Sequence, residues 1–190
     1  MSDSIQTFIL PAEGFCSREA ASSFSQLEDQ SKRLLESVRG ITSEELEWQP
    51  APGMNTIGML MAHFAIAEVL WTEKVLLGKK EVDTKAVIGL ALHDDGIPLA
   101  PDGKPPALLK GKSLAEYEAT LAKARAYYRE AVSKLSDEDA GRQVTFTRFT
   151  GASCTVNIRW VMYHVLEHFA GHFGQVLLLR HLYRATVSSK

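Results

Sequence analysis

With 190 residues, 45% of them apolar and 23% charged, the chain has the composition of an ordinary soluble globular protein of one domain. A net charge of −2 without any basic run gives no field for phosphate backbones or anionic lipids, so no nucleic acid and no membrane is expected as a partner. Only Cys16 and Cys154 are present, and the first residues lack the basic and apolar stretches of a signal peptide, so a reducing cytoplasm is the expected compartment.

Residues 1–16 read as an irregular arm interrupted by Pro11 and Gly14. From Ser17 to Arg39, Ala20, Phe24, Leu27, Leu34, Leu35 and Val38 recur at helical spacing, and Gly40 marks the end. Thr42-Ser43-Glu44-Glu45 predicts one short capped turn, followed by a loop at Pro50–Gly53. A second helix, capped by Asn55 or Thr56, runs to about Gly78. One flank of it gathers Leu60, His63, Phe64, Ala67, Leu70 and Trp71, which puts His63 on a buried side. The other flank carries Gly58, Ala62, Ala65, Thr72 and Glu73.

Residues 79–112 form the longest irregular stretch, rich in proline and glycine, with room for a short helix around Lys85–Leu92. Connections this long often shape a site. The capping box Ser113-Leu114-Ala115-Glu116 opens a third helix, and Val144–Thr147 followed by Gly151 predicts a small extended segment or hairpin. The last helix runs from about Val156 to Tyr183. Four long helices with no repeat and no second core predict an all-α four-helix bundle with long connecting loops.

The last helix carries the chemistry. His168 and His172 are spaced i, i+4 and stand one above the other, close enough for both imidazoles to reach one ion. At about 100° per residue they share a stripe with Val161, Val165, Gln175 and Leu179, with His164 at its edge and His181 on the far side. Several imidazoles on an apolar stripe need a common partner, and a divalent metal supplies one. A third ligand has to come from another helix, and His63 is the candidate. The alternative is that each histidine is satisfied separately by core hydrogen bonds or a watery crevice.

His164 stands open as ligand, second-layer residue or pocket wall, and Gln175 as a hydrogen-bond partner of a ligand or of metal-bound water. Gly171 and Gly174 are expected where a neighbouring helix comes close. His-Glu-x-x-His zinc-protease chemistry is disfavoured because Phe169 follows His168. Cys154 near the start of the last helix, and His93-Asp94-Asp95 in the long loop, read as a small buried residue and a solvated turn.

With these residues placed, the chain resembles the DinB-like helix bundles, which are grouped with thiol-dependent transferases and maleylpyruvate isomerase-like proteins. The resemblance spans roughly residues 17–184. It rests on His164-x-x-x-His168-x-x-x-His172-x-Gly174-Gln175, and on the segment from Asn55 through His63 to Trp71, with Glu44–Trp48 and Pro52-Gly53 before it. It implies His63, His168 and His172 as ligands of zinc, nickel or iron, and often a homodimer. For activity it implies a metal-dependent transferase using a low-molecular-weight thiol, while three histidines with an open coordination position for water also allow a hydrolase. The competing reading is a non-catalytic stress or interaction module held together by its metal. The long loop 79–112 departs from the family pattern, and no carboxylate is evident beside the histidines to act as a base.

The last helix also carries Met162, Leu166, Phe169, Phe173 and Leu177 as a second apolar strip. One core needs a stripe only somewhat wider than 100°, so this strip is expected to pair with its own copy in a homodimer. The alternative cover is the long loop or the N-terminal arm.

Overall fold

Each long helix begins where a side chain takes up a free backbone N–H. The computed structural model describes residues 9–148 and 150–188, without the side chain of Ser188. Half of the arm 1–16, residues 1–8, thus lies outside the described residues. Ser17 caps α1 (Arg18–Ser37) by accepting from the Ala20 amide, and Thr42 does the same for α2 (Ser43–Glu47). Thr56 caps α3 (Ile57–Trp71), and Asp83 caps the short α4 (Thr84–Ile88). Ser113 and Glu116 close a complete capping box on α5 (Leu114–Val132). Ser136 and Asp139 repeat it on α6 (Asp137–Gly141). The Asn157 side chain accepts the Trp160 amide at the head of α7 (Ile158–Ser188).

The expected hairpin is β1 (Gln143–Thr147) paired antiparallel with β2 (Ser153–Asn157). Its register puts Val144 opposite Val156 and Phe146 opposite Cys154. Val156 therefore lies in a strand and the last helix starts two residues later, at Ile158, while Cys154, four residues before that start, sits inside β2 and is partly rather than fully buried. The second helix does not run uniformly to Gly78 either. It turns into a π-helical segment at Thr72–Leu76, where the Thr72 hydroxyl takes the Glu68 carbonyl at 2.6 Å.

The protein is mostly α-helical, a bundle of α1, α3, α5 and α7 with the hairpin as its only sheet among the described residues. α3 lies against α5 and α7, and α1 against α7 and, more loosely, α5. α3 is buried nearly all round: Met59, Leu60, Met61, Ala62, Ala65 and Val69 are fully enclosed. The expected two-flank division of this helix therefore fails, and His63 is one of its few partly exposed positions. The close helix approach expected at Gly171 and Gly174 is also absent, for nothing lies within 4 Å of a Cβ built at either. The close approach is at Gly58, where a Cβ would meet the Tyr117 hydroxyl at 2.7 Å and the Leu46 carbonyl at 3.2 Å.

Part of the second apolar strip of α7 faces inward. Phe169 stacks on Phe64 at 4.2 Å with the Arg125 guanidinium 5.6 Å from its ring centroid, and Met162 is buried while its carbonyl accepts from Ser23 of α1. Leu166 and Phe173 are partly buried, and Leu177 is exposed. A corner helix touches two neighbours, so its apolar arc is wider than one stripe, and Met162 and Phe169 need neither a second copy nor the loop to cover them. The face of α7 left open carries Tyr163, Ala170, Gly171, Gly174 and Leu178. No helix among the described residues is long and apolar enough to cross a membrane.

Charged side chains inside the bundle, which the pattern of apolar residues gives no reason to expect, tie the helices together. Arg125 of α5 reaches both carboxylate oxygens of Glu68 on α3 (2.9 and 2.6 Å) and Glu28 of α1 (2.6 Å). Burial works against the Arg125 charge, but Glu68 and Glu28 more than offset it and hold the pKa above the usual arginine value. Arg180 of α7 likewise bonds Glu45 and the Arg39 carbonyl.

Candidate metal centre

α3 and α7 cross so that three histidines meet at one point. The ligating nitrogens of His63, His168 and His172 all lie within 4.8 Å of one another. His63 Nε2 is 3.0 Å from His168 Nε2, and the His168 and His172 rings, one turn apart on α7, are 4.5 Å between centroids. All three are partly buried, so the cluster sits at the wall of the bundle with one side open.

The protons on these rings are fixed from outside. Asp95, in the long loop, is 2% exposed, and its Oδ2 accepts from His63 Nδ1 at 2.7 Å. The Gln175 carbonyl oxygen accepts from His172 Nδ1 at 3.0 Å. With both Nδ1 atoms donating, the Nε2 atoms of His63 and His172 carry lone pairs toward the shared point. Burial, with the neighbouring His63, His172 and His164, depresses the His168 pKa to about 3. Burial likewise lowers that of His172. Imidazoles with converging lone pairs fit a divalent cation.

Asp95 corrects the reading of His93-Asp94-Asp95 as a solvated turn and the expectation that no carboxylate stands beside the histidines. Asp94 accepts the Ala91 amide, Asp95 Oδ1 accepts the Ile97 amide, and Gly96 turns the chain at φ +71°. A Cβ on Gly96 would lie 2.6 Å from Pro106, so this turn requires glycine twice over. The loop is itself anchored: Glu73 accepts from the Asp83 amide, Thr84 from its hydroxyl donates to Leu90, and Gln49 donates to the Gly103 carbonyl. The available signal was that a metal-binding histidine usually gives its second N–H to a carboxylate, and Asp94 and Asp95 of the long loop were among the carboxylates free to supply it.

His164 lies outside the three-nitrogen group. It stacks on Trp160 (4.7 Å, 8° between planes), meets Trp71 edge-on at 4.9 Å, and bonds Glu167 at 3.0 Å. Gln175 is exposed rather than part of the buried stripe, though its contact with His172 is the one expected. His181 is exposed, as expected. A cavity of about 760 Å³ between α1 and α5 holds none of the histidines.

A family model described as mycothiol-S-transferase matches residues 24–185, which take in both histidine-bearing helices. The chain belongs to the mycothiol-S-transferase family. That family is DinB-like, so the resemblance read from the histidine motif and the Asn55–Trp71 segment holds. A crystal structure of a conserved protein from Enterococcus faecalis is similar at a TM-score of 0.64 and 18% identity, covering 84% of this chain and 94% of that one. At that identity the likeness shows the fold alone, the DinB-like bundle. No curated protein matches.

Proposed function

We propose that this member of the mycothiol-S-transferase family transfers the sulfur of a low-molecular-weight thiol to an electrophile at the site formed by His63, His168 and His172. The observation that carries the reading is the convergence of three imidazoles, two of them held with Nδ1–H donating to Asp95 and Gln175, at a partly exposed wall of the bundle. Three protein ligands and an open position are the mark of a catalytic rather than a structural site. Zinc, nickel or iron bound there would supply a Lewis acid that lowers the pKa of a thiol and holds it as the nucleophilic thiolate.

The chain's own residues do the rest. Asp95 holds the His63 ring in one orientation and keeps its proton on Nδ1, so that Nε2 stays available. Gln175 does this for His172. Trp160, stacked on His164, walls one side of the opening and limits access of water. Depression of the His168 pKa keeps that ring neutral across the physiological range.

The test is consumption of mycothiol, and of other small thiols, with a haloalkyl bimane as electrophile. Protein loaded with one equivalent of zinc is compared with chelator-treated protein and with His168→Ala. Turnover only in the loaded wild type supports transfer. Metal-dependent melting without turnover by any thiol would favour a non-catalytic module instead.

A further inference from the structure

Next to the histidines, on the far side of Trp71, lies a second cavity of about 270 Å³ lined by Leu70, Trp71, Lys74, Phe146, Arg148 and Thr150. Trp71 belongs to both places. Its ring forms a wall of the cavity with Phe146, 5.7 Å away, and also meets His164, whose ring is 5.7 Å from that of His168. The apolar floor comes from the end of α3 and the wall from β1, so the hairpin, peripheral to the bundle core, is what makes the cavity. The π-helical turn after Trp71 carries Lys74 to its edge. The Lys74 ammonium donates to the Thr147 carbonyl at 2.9 Å and sits 5.2 Å over the Phe146 ring.

Among the described residues, two cationic side chains and no acidic one line this cavity. An apolar, aromatic slot with convergent positive charge recognises a flat apolar body bearing an anionic group. We propose that this cavity binds the electrophilic co-substrate, and that the preferred electrophiles are aromatic or similarly flat apolar molecules carrying a carboxylate or sulfonate. The proposal deepens the transferase reading and rests on it. The ring would lie against Trp71 and Phe146, the anion against Lys74 and Arg148, and the reacting carbon would point past His164 toward the thiol. There the thiolate sulfur forms the new C–S bond as the carbon–halogen bond breaks. The halide leaves with the bonding pair, and the thiol proton passes to solvent.

Binding can be read without any chemistry. Metal-free full-length protein is titrated with 3,5-dinitrobenzoate and with neutral 1,3-dinitrobenzene, neither of which has a leaving group, following the quenching of tryptophan fluorescence. The carboxylate is expected to bind about tenfold more tightly. The double variant Lys74→Gln/Arg148→Gln should remove that preference, and Phe146→Ser should weaken both ligands alike. These are half-buried or exposed positions, so the fold should survive them. Equal binding of the two ligands by the wild type, or a preference that persists in the double variant, would overturn the proposal. The titration contains neither thiol nor metal, so a failure of S-transfer in the bimane assay is a separate result that bears on the histidine site alone. With thiol and zinc added, the same preference should appear in kcat/KM for 4-chloro-3,5-dinitrobenzoate over 1-chloro-2,4-dinitrobenzene, and vanish in the double variant.

Discussion

Asp95 accepts a hydrogen bond from His63 at 2.7 Å across 32 residues of sequence, joining the central helix to the proline-rich loop. The loop therefore does more than connect α3 to α5: its one buried carboxylate orients a candidate metal ligand. Asp95→Asn keeps the shape but replaces the obligate acceptor with an amide that can present its NH₂ group to the ring. Metal affinity should fall about 10–100-fold, the usual cost of losing such a partner. Competition against a chromophoric chelator measures it. An unchanged affinity would mean that Asp95 serves only to hold the loop.

The histidines make metal-free stability depend on pH in a defined direction. Burial holds the folded-state pKa of His168 at about 3, while an unfolded imidazole titrates near 6.5. Between those values the unfolded chain binds the extra proton, so stability is complete above about pH 6.5 and declines as pH falls toward 3. The fall is expected to be on the order of a few kcal/mol. His168→Gln should flatten this part of the profile in urea unfolding of chelated protein. A profile equally steep in the variant would assign the slope to other groups.

Arg125 links three helices through Glu68 and Glu28. Arg125→Met leaves the Glu68 carboxylate buried without its partner, and is expected to cost about 3–5 kcal/mol. Adding Glu68→Gln should recover part of the loss, since the uncompensated charge goes with it. Denaturant midpoints of the single and double variants decide this, and an additive cycle would contradict direct coupling.

The helices were legible because their signals are local. Capping residues Thr42, Thr56 and Ser113 sit where their motifs placed them, and the i, i+4 pair His168 and His172 needs only one helix to be recognised. The third histidine depends on which helix crosses α7, and the apolar flank around His63 and the family resemblance both point to α3. What was hidden depends on tertiary placement. Asp95 reads as an ordinary turn residue until Gly96 and Pro106 fold it inward, and Phe146 gains meaning only when β1 brings it to Trp71. The inward turn of Phe169 and Met162 was hidden in the same way, because a wheel shows the width of an apolar arc but not how many neighbours divide it.

With Met162 and Phe169 accounted for, the surface we propose for self-association is the open face of α7. Tyr163, Ala170, Gly171, Gly174 and Leu178 offer small residues for close approach, flanked by two larger ones. A homodimer near twice the 21.0 kDa chain mass is expected, and Gly174→Glu together with Leu178→Glu should yield the monomer. Sedimentation over a dilution series reports both. A wild-type monomer at tens of micromolar would remove the dimer, and a dimer unaffected by these changes would relocate the interface.

The most direct test of a thiol-activating metal at the three histidines is X-ray absorption at the zinc edge, recorded on zinc-loaded protein before and after adding mycothiol. Three nitrogen neighbours at about 2.0–2.1 Å are expected in both samples, joined after the addition by one sulfur at about 2.3 Å. The nitrogen shell should be lost in His63→Ala/His168→Ala. A spectrum that stays free of sulfur at saturating thiol, or a nitrogen shell that persists in the double variant, would contradict thiol binding at His63, His168 and His172.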